Sequence, residues 1–203
     1  IKVKDEEEIV FNYKSSRHGP IVNDVLATIN ESSPIALSWI FTKFENKLLQ
    51  AIYTMSMANS KEEFKIGASM IHAPGLNVMY GDSKGNIAWW ASAKLYKFLP
   101  HVKTKFVMDG ASGKDDIIEY LDFSQNPMAE NPPWNYVYSA NNQPDSIAGM
   151  IYPGYYLPED RAKRIVSLLE AKNNWNQNSA KLMINDVTSK VSVDIIKELT
   201  RNI

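Results

Sequence analysis

The stretch NPMAENPPWNYVYSANNQP, residues 126–144, organises the reading of this chain, together with YLPEDRAKRI, residues 156–165, which follows a glycine- and tyrosine-rich turn. Tyr136-Val137-Tyr138 is a short run of residue types that favour extended backbone, and it predicts a strand. The run stops at Ser139-Ala140-Asn141-Asn142-Gln143-Pro144. Asn tolerates left-handed backbone angles and Pro cannot continue a ladder, so this is a turn. Two carboxamide side chains therefore stand at the tip of a predicted strand, a common place for functional groups. Pro158, Glu159 and Asp160 mark the start of a helix. Arg161 falls in its first turn, twenty residues beyond Asn141. The helix dipole disfavours a cation there, so Arg161 needs solvent or a specific partner.

The 203 residues read as a single domain, residues 1–203. That length buries roughly 70% of the surface the unfolded chain exposes. Hydrophobic residues make up 44%, charged residues 22%, and the net charge is −1, so nothing points to nucleic acid or membrane. There is no cysteine, which excludes disulfides, thiolate metal sites and a cysteine nucleophile within these residues. His18, His72 and His101 lie far apart without metal-ligand spacing, and no carboxylate pair suggests glycoside chemistry. The sequence opens on Ile1-Lys2-Val3-Lys4, not on Met, and the expectation is a piece of a longer protein.

Outward from the central stretch, Ile9, Phe11 and Tyr13 fall on one face and Val10 and Asn12 on the other, which predicts a strand, with residues 4–8 as a solvated turn before it. Gly19-Pro20 predicts a tight turn and Ile21-Val22 another strand. His18 reads as a buried structural histidine, the alternative being a catalytic base. Asn30-Glu31-Ser32 has the form of a glycosylation sequon but is too common a triplet to carry weight. Residues 34–39 are short and apolar, a core strand by expectation. Residues 43–57 switch to helical spacing, with Phe44, Leu48, Leu49, Ile52 and Met55 on one stripe. Ser60 and Glu63 form a capping box for a second helix carrying Phe64, Ala68 and Ile71. A hairpin follows: Leu76 to Gly81, a turn from Asp82 to Asn86, and Ile87 to Trp90. Asp82 reads as the cap of its own turn, over a metal ligand or acid catalyst. Residues 94–126 read as irregular, and helices are predicted over 158–171, 178–190 (with Ser179 as cap) and 191–201. By its residues alone this is an α+β chain with an Asn-Asn turn and a nearby arginine.

A series of motifs goes further. Arg17-His18-Gly19-Pro20-Ile21, Ala36-Leu37-Ser38-Trp39, Ala58-Asn59 with Glu63-Phe64, Asn77 with Tyr80-Gly81-Asp82 and Gly85-Asn86-Ile87, Asn131-Pro132, Ala140-Asn141-Asn142 with Pro144, and Arg161 with Arg164-Ile165 occur in this order. Taken together, over roughly residues 9–190, they resemble the β-subunit of the penicillin amidase (penicillin acylase) family. The resemblance implies an αββα N-terminal-nucleophile hydrolase sandwich with antiparallel strands and C-terminal helices, of which this chain is a middle piece. It implies an amide hydrolase acting on penicillins, acyl-homoserine lactones or similar N-acyl substrates. The nucleophile would lie upstream, freed by self-cleavage of a precursor, and the piece alone would be inactive.

The same resemblance assigns roles to residues present here. Asn141 matches the asparagine that donates to the oxyanion, and Arg161 the arginine beside it. Trp39 and Leu76 match apolar residues lining the acyl pocket, the alternative for both being plain core. The partners implied are the α-subunit and the N-terminal part of the β-subunit from the same precursor, and the compartment is periplasmic or extracellular. Calcium is implied only for the full-length protein and on no residue of this chain. Two departures stand out. Ala91 to Lys97 lack the family's Gly and Pro/Arg pattern after the hairpin, and the aspartate expected between Asn141 and Arg161 has no counterpart, Tyr152 being nearest by count. A non-catalytic homologue serving as a binding or scaffold module is the alternative reading.

Overall fold

The computed structural model describes residues 1–29, 32–144, 152 and 154–201. The sequon at Asn30 and Glu31, and most of the turn before Tyr152, lie outside the described residues. In chain order the elements are β1 (Ser15–Ser16), β2 (Gly19–Pro20), α1 (Ile40–Lys43), α2 (Leu48–Met57), α3 (Lys61–Ser69), β3 (Leu76–Gly81), β4 (Ile87–Ser92), β5 (Tyr96–Lys97), β6 (Glu119–Tyr120), a 3-10 turn (Phe123–Gln125), β7 (Met128–Glu130), α4 (Asp160–Glu170), α5 (Gln177–Ile184) and α6 (Lys190–Thr200). Helices and antiparallel strands are mixed, as the sequence implies.

The centre is the antiparallel sheet β3-β4-β7. Leu76 pairs with Ser92 and Gly81 with Ile87 across the hairpin, and Trp90 pairs with Met128 on the other side of β4. The turn forms because Asp82 satisfies it. Its Oδ1 accepts from the Lys84 and Asn86 amides at 2.9 Å each, and its Oδ2 from Asn86 Nδ2 at 2.8 Å and the Tyr80 hydroxyl at 3.0 Å. These bonds, the Asn86 side chain's above all, hold the Asp82 pKa down at about 2. Asp82 is thus a turn cap.

One face of the sheet packs on α3. Ala68, Ala88 and Trp90 are fully buried together, with Met55, Phe64, Val78, Tyr80, Phe123 and Met128 around them. The capping box starts α3: Ser60 Oγ accepts from Glu63 N at 3.1 Å, and Glu63 Oε2 accepts from Asn59 N at 2.7 Å. Gly67 lets α2 come close, since a Cβ there would lie 2.6 Å from Met55 Cγ and 3.0 Å from the Ala51 carbonyl oxygen. Glu130 on β7 gathers Lys65 at 2.6 Å, Lys61 at 3.1 Å and the Trp90 indole N–H at 3.0 Å. Burial opposes the Glu130 charge, but these donors outweigh it and hold its pKa at about 2.

Several expectations are corrected. Residues 9–13 form no strand, although residues 4–8 do reverse the chain, with Ile9 N donating to Ile1 O at 3.0 Å. Gly19-Pro20 is itself the strand β2, and the turn falls before it. Residues 34–39 make only one bridge, Ala36 to Ile21, and Leu37 and Trp39 are exposed. The helix over 43–57 is interrupted between Lys43 and Leu48, and its inward face carries Ala51, not the exposed Leu49 and Ile52. Tyr136-Val137-Tyr138 is not a strand, and among the described residues no backbone hydrogen bond reaches it. Asn176, not Ser179, caps α5. For the strands the cause is that each needs a partner at a distance, which the local pattern does not supply.

Candidate active site

The run that begins at Tyr136 leads to Ala140, which is fully buried. Asn141 follows with φ 60, the left-handed conformation that Asn tolerates and most side chains do not. Its carbonyl accepts from Leu157 N at 2.8 Å, which brings the returning chain alongside. Three residues on, α4 begins, and Arg161 projects from its first turn beside the buried Ala162. The small side chains of Ala140 and Ala162 let both segments seat against the body of the protein while their neighbours face outward.

The result is a direct contact: Arg161 donates to Asn141 Oδ1 at 3.5 Å, a long hydrogen bond. Guanidinium nitrogens only donate, so the amide oxygen faces the arginine and Nδ2 is left to donate elsewhere. Among the described residues Nδ2 has no partner. The nearby acids do not quench Arg161. Asp160 accepts from Ser189 Oγ at 3.0 Å and Val191 N at 3.2 Å, and Glu159 pairs with Lys163 at 3.1 Å. A cation and an amide N–H thus stand exposed at one place, an arrangement suited to binding negative charge.

Behind Asn141 lies a cavity of about 380 Å³ between the sheet and α4, lined in part by Asn77, Trp89, Tyr136, Asn142, Val166 and Glu170. Asn142 lines it and Asn141 does not, so the two carboxamides serve different spaces. Trp89 Nε1 donates to Asn77 Oδ1 at 2.9 Å, and the Tyr136 hydroxyl to Glu170 Oε1 at 3.1 Å. Sequence reasoning passed over this cavity. Its signal was the aromatic density of residues 134–138, which reads equally well as a strand.

Trp39 and Leu76 are not in the cavity lining. Trp39 is 51% exposed and stacks on Phe41 at 5.0 Å, and Leu76 is 41% exposed at the start of β3. His18 is a fastening group: its Nε2 sits 2.8 Å from the Gly110 carbonyl, which Arg17 also reaches while pairing with Asp116. Among the described residues no group of three or more His, Asp or Glu is placed to hold a metal. Tyr152, where the resemblance expects an aspartate, has its carbonyl already taken by Gln143 Nε2 and the Tyr156 hydroxyl, both at 3.1 Å.

A sequence model described as penicillin amidase matches residues 1–203. The chain belongs to the penicillin amidase family. Among curated proteins of this kind, the acyl-homoserine lactone acylase QuiP of Pseudomonas fluorescens is 25% identical over 188 residues, covering 92% of this chain and 23% of that protein. Among solved structures, a thermostable penicillin G acylase from Alcaligenes faecalis superposes with a TM-score of 0.72 at 21% identity, over 90% of this chain and 32% of that one. That likeness shows the fold, an N-terminal-nucleophile hydrolase fold of helices and antiparallel sheets. The chain spans about a quarter to a third of the length of these family members.

Proposed function

We propose that this chain is an internal part of the β-subunit region of an acylase that hydrolyses an N-acyl amide such as a penicillin or an acyl-homoserine lactone. The observation that carries the reading is the Arg161–Asn141 contact, which turns the amide N–H outward. Family membership supplies the reaction class, and the names of its two relatives are those of acylases.

In this reading the nucleophile is a Ser, or less often a Thr or Cys, at an N-terminus freed by processing in another segment of the precursor. Its α-amine takes the hydroxyl proton (for Cys, the thiol proton) as the oxygen or sulfur attacks the acyl carbon. Charge develops on the carbonyl oxygen, and Asn141 Nδ2 donates to it. One such donor contributes about 2.7–4 kcal/mol to lowering the barrier. The amine then returns the proton to the departing nitrogen, and water cleaves the acyl ester. Arg161 has two roles: it fixes the amide orientation, and its charge favours the neutral form of the amine, whose ordinary pKa is about 7.7–8.0. Trp39 and Leu76, exposed in this chain, line the acyl pocket once the remaining segments cover them. The partners are those segments, the α-subunit and the N-terminal part of the β-subunit. The compartment is periplasmic or extracellular. Among the described residues no helix is long and apolar enough to cross a membrane.

The test is the intact mass of the full-length gene product after incubation at neutral pH. Two masses summing to the precursor, less any excised linker, support the reading. Asn141→Ala should then lower kcat by about 10²–10³ with KM little changed. A single unprocessed mass without amide hydrolysis would overturn the enzyme reading in favour of a non-catalytic homologue.

A further inference from the structure

Between Asn141 and Arg161, Tyr152 is held at both its side chain and its backbone carbonyl. The Tyr152 phenol oxygen accepts from the Tyr96 backbone N–H at 3.2 Å. The Tyr152 carbonyl accepts from Gln143 Nε2 and from the Tyr156 hydroxyl, each at 3.1 Å. The Tyr152 and Tyr96 rings meet edge to face, 6.4 Å between centroids.

Each of these bonds has a place in the anchorage of Asn141. Tyr96 lies opposite Tyr120 in the β5-β6 pair, whose hydrogen bonds run instead through Leu95 and Lys97: Leu121 N donates to Leu95 O at 2.9 Å and Ile118 N to Lys97 O at 3.0 Å. The Tyr96 N–H therefore points away from β6, a free edge donor until the phenol covers it. Gln143 is two residues after Asn141. Tyr156 immediately precedes Leu157, whose N–H holds the Asn141 carbonyl at 2.8 Å. Tyr152 thus ties Gln143, just after Asn141, and Tyr156, just before the Leu157 N–H that holds Asn141, to one strand edge. Burial keeps the phenol neutral, its pKa raised to about 12, so the strut does not change with pH in the working range.

We propose that Tyr152 is a positioning residue, a strut that fastens the connection between Asn141 and Arg161 to the edge of β5 and so holds the Asn141 amide where it donates. This rests on the reading of Asn141 as oxyanion donor. An oxyanion donor acts in the transition state and not on bound substrate, so loosening it lowers kcat and leaves KM alone. Misplacement by about 1 Å is enough to cost up to about 100-fold.

The experiment uses the full-length gene product with Tyr152→Phe, Asn141→Ala and the double variant. Tyr152→Phe keeps the ring and both carbonyl bonds and removes only the phenol oxygen. The expected result is a kcat lower by about tenfold, an unchanged KM, and no further fall when the change is made in the Asn141→Ala background. Residue-resolved amide hydrogen exchange should speed up at Tyr96 and at Leu157. A rise in KM at constant kcat, the same fold-loss in both backgrounds, or unchanged exchange at Tyr96 would each overturn the proposal. If the wild-type protein hydrolyses no amide, the enzyme reading fails. The exchange rates at Tyr96 and Leu157 then decide the strut alone, faster exchange supporting it and unchanged exchange overturning it.

Discussion

At the scale of single residues, the candidate site depends on which end of one amide faces which neighbour. Arg161 can only donate, so it selects the Asn141 oxygen and leaves the nitrogen outward. Asn141→Asp would place a carboxylate against the guanidinium and remove the donor, so hydrolysis should fall at least as far as in Asn141→Ala, by about 10²–10³ in kcat. The two roles of Arg161 separate by substitution. Arg161→Lys keeps the charge but loses the planar fork, so kcat should fall while the pH profile stays in place. Arg161→Met removes the cation that favours the neutral amine. The amine pKa should rise, and the acidic limb of the kcat/KM profile should move to higher pH. An unmoved limb in Arg161→Met would show that the arginine acts on the amide alone. The carboxamide pair and the arginine were legible as residues, because an Asn-Asn-x-Pro turn and a helix start are local chemistry. That they meet was implied only by the resemblance and not by the residues alone, since the contact is made across twenty positions, alongside the Leu157–Asn141 backbone bond.

At the scale of elements, the parts that were legible are those whose reason lies within a few residues. The capping box began α3 where it was expected, and the Asp82 turn joined β3 to β4. The misread parts were apolar runs at residues 9–13 and 34–39. The first alternates and the second is a short apolar run, both strand-like, yet neither pattern names a partner. Two substitutions test the packing that local pattern did not show. Gly67→Ala adds a better helix former, worth about 1 kcal/mol in an open helix. Here the new Cβ would stand 2.9 Å from the Met55 backbone nitrogen, so α2 must shift. The expected net outcome is a loss of about 1–3 kcal/mol, read from the denaturant midpoint. Glu130 joins β7 to α3 through Lys61 and Lys65. Its folded pKa of about 2 lies below the ordinary glutamate value of about 4.3, so the unfolded state binds the proton first. Its contribution is present in full above about pH 4.3 and is lost as pH falls through about 2. Denaturation curves of wild type and Glu130→Gln should converge over that interval, and a constant separation would reject the assignment.

At the scale of the whole molecule, the chain leaves much apolar surface uncovered. Trp39, Phe106, Val107, Leu182, Ile184 and Val187 are all more than half exposed. Such surface invites association or a covering partner. The 203 residues expressed by themselves should bind a hydrophobic dye strongly, and on the proposed reading co-expression with the other segments of the precursor should suppress that signal. Equal dye binding in both cases would mean that those segments do not cover this surface. The fold class was legible from mixed helical and alternating patterns, whereas the exposed faces were not, because a sequence does not say which apolar residues await another segment.

The fastening of the first residues carries a consequence in time. Arg17 and Asp116 stand 99 positions apart, while the hairpin, the capped helix and the Asn141–Arg161 contact close over short separations. Closing a long loop costs more chain entropy, so this clasp forms late, after the local elements exist. A late contact is absent from the folding transition state. Weakening it with Asp116→Asn should therefore leave the refolding rate unchanged and raise the unfolding rate by about twofold to fivefold, as expected for a partly exposed ion pair. The clasp beside the amino-terminal strand pair then acts on the rate of opening more than on the rate of folding.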